Sequence, residues 1–189
     1  ALPAPEATSA TDITQTSFSA NWGKVANASG YYLNVSSYNT FSNFVTGYNN
    51  KDVGNVITST VTGLTAGTTY YYRIRAYNSG GTRSNSNVII VCTIPSAPVA
   101  IEASSISETS FDANWNSSSG ASGYYLDVAA DNTFTAFVSG RNNKNVGNVL
   151  TSSIFGLSAG NTYYYRIRAY NESGTSGNSN VIEAVTTEL

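Results

Sequence analysis

Apolar and polar residues alternate along much of this chain with a period of two. In "YYYRIRAY" (70–77), Tyr70, Tyr72, Ile74 and Ala76 fall on one side, and Tyr71, Arg73, Arg75 and Tyr77 on the other. This pattern predicts a strand with one buried and one wet face. "TSFSANW" (16–22) sends Phe18, Ala20 and Trp22 inward. "YYLNV" (31–35) sends Tyr31, Leu33 and Val35 inward and leaves Tyr32 and Asn34 on the wet side. "ITSTVTGL" (57–64) and "SNVIIVCT" (86–93) predict further strands, and Gly- and Asn-rich turns separate them. No segment carries a helical period.

The pattern occurs twice. Shifted by 93 positions, "TSFSANW" meets "TSFDANW" (109–115), "ASGYYLNV" (28–35) meets "ASGYYLDV" (121–128), and "YYYRIRAYN" (70–78) recurs unchanged at 163–171. Fixed-period self-similarity signals repeated structural units. Each unit is long enough to own a core. The prolines of "TIPSAPV" (93–99) cannot donate to a sheet ladder and mark the join. The expected domains are 1–94 and 95–189.

Each unit resembles a fibronectin type III domain. The resemblance rests on Trp22, the "GYYL" segment at Tyr31 and the run "LTAGTTYYYRIRAYN" (64–78), matched in the second unit by Trp115, Tyr124, Leu157 and Tyr163. It implies an all-β chain of two tandem immunoglobulin-like, seven-stranded Greek-key sandwiches, each with three- and four-stranded sheets. It also implies a tyrosine corner in each unit, with Leu64 and Tyr70 in the first and Leu157 and Tyr163 in the second. There the tyrosine hydroxyl bonds backbone just upstream. "FSNFVTGYNNKDVGNV" (41–56) resembles the version found in secreted bacterial multidomain proteins, which implies an extracellular or cell-surface location.

Composition narrows the chemistry. The 189 residues include 41% hydrophobic but only 11% charged residues, against about a quarter usually. Ser, Thr, Asn and Gly fill the difference and suit turns. Net charge is −2 and no basic patch appears, so nucleic acid is not an expected partner. No stretch is apolar enough for membrane insertion. There is no His, which removes Ser–His–Asp and Cys–His catalysis and the usual zinc and copper sites. The expectation is no enzyme, no cofactor and no metal. The best calcium candidate, "GYNNKDVGN" (47–55), loses its carboxylate in the second copy, where Asn145 replaces Asp52. It reads as a loop in which Gly47, Asn49, Asn50 and Gly54 take positive φ. The lone Cys92 reads as a small filler on the outer side or edge of the last strand. Asn27, Asn34, Asn116 and Asn171 head Asn-x-Ser triplets, which matter only in a glycosylating compartment.

The outward stripe is the candidate binding face. It comprises Tyr32, Tyr71, Arg73, Arg75 and Tyr77 in unit 1, and Tyr125, Tyr164, Arg166, Arg168 and Tyr170 in unit 2. Tyr and Arg are favoured at interfaces and sugar-binding faces. The same residues also suit a cross-strand ladder, with guanidinium planes over phenol rings. The expected function is therefore a non-catalytic spacer and adhesion module. The alternatives are a carbohydrate-binding accessory module of a larger secreted enzyme, or a subunit assembling end to end into a surface filament. Expected partners are neighbouring domains or other copies of the chain, with a polysaccharide or protein ligand also open. Charge adds a polarity. Residues 1–96 hold Lys24, Lys51, Arg73, Arg75 and Arg83 against Glu6, Asp12 and Asp52, a net of +2. Residues 97–189 hold Arg141, Lys144, Arg166 and Arg168 against Glu102, Glu108, Asp112, Asp127, Asp131, Glu172, Glu183 and Glu188, a net of −4. Head-to-tail association is expected, with the apolar outer residues Leu2 and Phe155 adding holding energy.

Overall fold

The computed structural model describes residues 2–188; the first residue of the opening "ALPAP" lies outside them. The chain divides into two compact units, Ala1–Ile94 and Pro95–Leu189. Unit 1 contains β1 (Ala7–Thr11), β2 (Ser17–Trp22), β3 (Gly30–Ser36), β4 (Lys51–Gly54), β5 (Thr58–Thr62), β6 (Thr69–Asn78), β7 (Gly81–Thr82) and β8 (Ile89–Cys92). One sheet runs β1-β2-β5. The other runs β4-β3-β6, and β7 and β8 both pair with β6 as two pieces of the last sandwich strand. All these pairings are antiparallel.

Unit 2 repeats the plan with β9 (Ala100–Ser104), β10 (Ser110–Trp115), β11 (Gly123–Ala129), β12 (Lys144–Gly147), β13 (Thr151–Phe155), β14 (Thr162–Asn171), β15 (Gly174–Thr175) and β16 (Ile182–Val185). Its sheets are β13-β10-β9 and β12-β11-β14-β15, with β16 also on β14.

The alternation seen in the sequence becomes the core. Phe18, Ala20 and Trp22 of β2 meet Tyr31, Leu33 and Val35 of β3 and Tyr70, Tyr72, Ile74 and Ala76 of β6, all buried. Unit 2 buries the matching set around Trp115, Tyr124 and Tyr165. A buried phenol needs a partner for its hydroxyl. Tyr72 donates to the Thr8 carbonyl and accepts the Asn21 N–H at 3.3 Å. Tyr31 accepts the Val25 N–H at 2.7 Å. Tyr70 accepts the Thr65 N–H at 2.9 Å, and Tyr163 accepts the Ser158 N–H at 3.0 Å, each pinning the turn that leads into β6 or β14. Asn87 bonds both the N–H and the carbonyl of Ala7, at 2.9 and 3.0 Å, and so ties β1 across to the larger sheet. Asn180 does the same to Ala100.

Three local expectations change. Leu2 is not an outer residue: it is only 7% exposed and belongs to the unit 1 core, since an apolar side chain near an open sandwich edge gains by covering it. Residues 47–55 are not all loop, because Lys51–Gly54 pairs with β3 as an edge strand and its polar residues face water. Gly47, Asn50 and Gly54 have positive φ, but Asn49 does not. One left-handed residue, Asn50, suffices to turn the chain into the strand.

Candidate functional site

The outward side chains of β3 and β6 lie in register. Arg75 is opposite Tyr32, Arg73 opposite Asn34, and Tyr77 opposite Gly30. Antiparallel partners share a face, so these groups meet across the sheet. The Tyr32 and Tyr77 rings stack with centroids 4.7 Å apart. Tyr77 then folds over Gly30, where there is no side chain to oppose it. Unit 2 shows the same pair, Tyr125 and Tyr170, at 4.7 Å. A Cβ added at Gly123 would lie 2.5 Å from the Tyr170 hydroxyl, so this glycine is needed for the close approach of a ring. The Tyr77 hydroxyl donates to the Asp52 carboxylate at 3.0 Å, and this bond raises the phenol's pKa.

The arginines do not lie over phenols. Arg73 covers the Phe41 ring at 3.9 Å, and Arg166 covers Phe134 at 4.0 Å. Both phenylalanines sit at positive φ in the connection after β3 or β11. Their rings are buried beneath the guanidinium. The reason is reach: the neighbouring tyrosines are already stacked on each other, and the folded-back connection brings a phenylalanine ring, itself packed on Phe44 or Phe137, over the sheet.

Asn34 is on the outward face as expected, but it is not wet. It is 4% exposed, because its Oδ1 accepts the Asn50 N–H and the segment before β4 covers it. Its counterpart Asp127 is 1% exposed. That carboxylate accepts the Asn143 N–H at 2.6 Å, Arg166 Nε at 3.0 Å and Arg168 Nη2 at 3.3 Å. Unit 2 therefore gives the two arginines of its stripe one shared internal counter-ion. In unit 1 the Nε atoms of Arg73 and Arg75 are buried without a hydrogen-bond partner among the described residues. Burial, with Arg75 nearby, pulls the Arg73 pKa down. Arg75 still reaches the Asn50 side chain through Nη2.

Tyr71 and Tyr164 end the stripe. Tyr71 is paired with Ile90, and Tyr164 with Glu183. The structure thus brings together all ten stripe residues as two half-exposed faces, one per unit. Sequence reasoning missed Phe41, Phe134 and the buried role of Asp127. An acid opposite one arginine and diagonal to a second on the adjacent strand was the available signal for the last. Among the described residues no three His, Cys, Asp or Glu side chains cluster as a metal would require. No helix there is long and apolar enough to cross a membrane.

Two antiparallel sandwiches, each with a tyrosine-pinned turn and an aromatic core, define a class of repeated β-module. The chain belongs to the fibronectin type III domain family, whose model matches residues 3–91 and again 96–185. It is similar to a Kelch domain-containing protein of Sulfurisphaera tokodaii, 33% identical over 159 residues, covering 82% of this chain and 20% of that protein. It is also similar to chitinase A1 of Niallia circulans, 30% identical over 162 residues, covering 75% and 22%. A third relative is exoglucanase B of Cellulomonas fimi, 32% identical over 149 residues, covering 70% and 12%. The chain spans about a fifth of the length of two of these relatives and less of the third.

Proposed function

We propose that the two units form a non-catalytic accessory module of an extracellular or cell-surface polypeptide, spacing and presenting whatever it is joined to. One observation carries this reading. The outward groups best suited to bind or react are committed to one another, in nearly the same way in both units: phenol on phenol, guanidinium on Phe, hydroxyl on Asp52 or Asn145. Groups held this way stiffen a sheet. The similarity to two named polysaccharide hydrolases, over a small part of each, supports an accessory role beside other domains.

A second reading, carbohydrate binding, is favoured by the half-exposed rings of Tyr32 and Tyr77 and by the same relatives. Incubating the chain with insoluble chitin and cellulose separates the two. The spacer reading expects no release of reducing ends and no retention above a mock-matrix control. Saturable retention that Tyr32→Ala abolishes would replace it with the second reading. Release of reducing ends by the purified chain would refute both.

A further inference from the structure

The two units are near-copies, so the positions where their surfaces differ carry information that the shared residues do not. On the larger sheet, unit 2 holds two carboxylates, Asp127 and Glu183, where unit 1 holds Asn34 and Ile90; unit 1 holds one, Asp52, engaged by the Tyr77 hydroxyl, where unit 2 holds Asn145. Unit 1 is left with Arg73 and Arg75 lacking a carboxylate partner among the described residues. Ile90, opposite Tyr71 at the end of the same face, is 67% exposed. A shallow groove of about 370 Å³ runs between Asn39, Tyr71, Val88 and Ile90. This face is cationic and apolar.

The smaller sheet differs in the opposite sense. Unit 1 presents Thr8, Ser9, Ser19 and Thr62 there. Unit 2 presents Ile101, Glu102, Asp112 and Phe155 at the same positions. Phe155 and Asp112 share the outward face, since Phe155 pairs with Ser110 and Asp112 with Ser153. Phe155 is 70% exposed and stands on an edge strand. Asp112 is held ionised by the Ser153 hydroxyl, which donates to it at 2.6 Å and lowers its pKa. This face is anionic and apolar.

We infer that the larger-sheet face of unit 1 docks the smaller-sheet face of unit 2 from a second copy of the chain. Phe155 enters the groove beside Ile90 and Tyr71, and Asp112 and Glu102 approach Arg73 and Arg75. Each face exists on only one unit, so the contact is heterologous. A singly joined pair keeps one unused face of each kind, so a heterologous contact of this sort builds rings or open chains. With one aromatic anchor and exposed charge pairs that each contribute little, the contact belongs to the weak class. Its charges are exposed, so salt weakens it. The inference does not rest on the spacer reading, which would stand for a monomer as well.

The test uses repeat exchange. Ile90→Glu gives unit 1 the residue that unit 2 carries at that position, and Phe155→Thr gives unit 2 the residue of unit 1. The same fold already accepts both. Sedimentation velocity is run on the full chain up to about 1 mM, the dissociation constant of a barely stable contact, in low and in high salt. The wild type is expected to grow beyond a dimer with concentration, and growth is expected to fall at least tenfold with salt. Each variant alone is expected to stay monomeric. Mixed together, they are expected to stop at a 1:1 pair, because one retains only the cationic face and the other only the anionic face. Asn34→Asp, which supplies the internal counter-ion, is expected to weaken growth as well. A wild type that is monomeric throughout, a closed symmetric dimer, growth that neither exchange alters, or variants that fail to pair on mixing would each overturn the inference. Polygalacturonate is the control ligand. If it binds the unit 1 face while the chain remains monomeric, the occupant is an acidic glycan and the second copy is ruled out.

Discussion

Asp127→Asn turns the carboxylate of unit 2 into the amide that unit 1 already holds at Asn34. Asn keeps an oxygen for the Asn143 N–H, just as Asn34 Oδ1 accepts the Asn50 N–H. It loses the charge that receives Arg166 Nε at 3.0 Å and Arg168 Nη2 at 3.3 Å. Removing one partner of a fully buried ion pair costs about 3–5 kcal/mol. Here the arginine side chains are 25% and 27% exposed, so water recovers part of the loss. Hydrogen bonds to charged groups contribute about 1.5–3 kcal/mol each, and the longer Arg168 contact adds little. The expected cost is about 1.5–3 kcal/mol. In a unit of this size that is a fall in Tm on the order of 6–24 °C. Calorimetry on the whole chain should show one transition moving by that amount while the other stays in place. The reciprocal Asn34→Asp should raise the unit 1 transition, because it inserts a carboxylate between two arginines that lack one. A loss below about 0.5 kcal/mol for Asp127→Asn, typical of a neutral surface change, would refute the reasoning. So would a destabilising Asn34→Asp.

Gly30→Ala should push the Tyr77 ring off Tyr32 and cost about 1–3 kcal/mol in thermal unfolding, as overpacking does; adding Tyr77→Ala should make the same glycine change nearly neutral. Trp22→Ala empties the most aromatic part of the unit 1 core and should cost roughly 3–5 kcal/mol by denaturant titration. Tyr70→Phe leaves the Thr65 N–H without its acceptor and should cost about 1–2 kcal/mol by the same titration. Asp131 accepts the Thr133 hydroxyl and the N–H groups of Ala136, Thr135 and Thr133, which hold its carboxyl well below the ordinary 3.8. Its folded pKa is depressed, so the stability it adds is fully present above about that value and is lost as pH falls below it; the Tm deficit of Asp131→Ala should be constant at neutral pH and shrink below pH 3.8.

The fold was legible because its signal is local and doubled. Period-two alternation in 17–22, 31–35 and 70–77 set the inward residues, and the 93-residue repeat set the unit. The stripe was legible as a set of outward residues but not as a set of contacts. Asn34 looked wet because its cover comes from Asn50, sixteen residues away, at the start of a short polar edge strand. The platform under Arg73 was hidden because Phe41 reaches it only through a positive φ, for which a non-glycine residue gives no sequence sign. A clue lay in the repeat itself: Phe41 and Phe44 recur as Phe134 and Phe137 in otherwise polar connections. Leu2 looked external only because it precedes the first strand, although a sandwich edge is open to any nearby apolar side chain.

The central claim is that the outward stripe holds its own sheet, most completely in unit 2, where Asp127 receives both arginines. A double-mutant cycle on Asp127 and Arg166 tests it most directly, with Asp127→Asn, Arg166→Gln and the pair compared by chemical denaturation of the full chain. A structural ladder predicts a coupling of about 1–2 kcal/mol, well outside the few tenths expected of independent sites. A coupling below about 0.3 kcal/mol would show that the two groups do not hold each other, and would free the stripe for an external ligand.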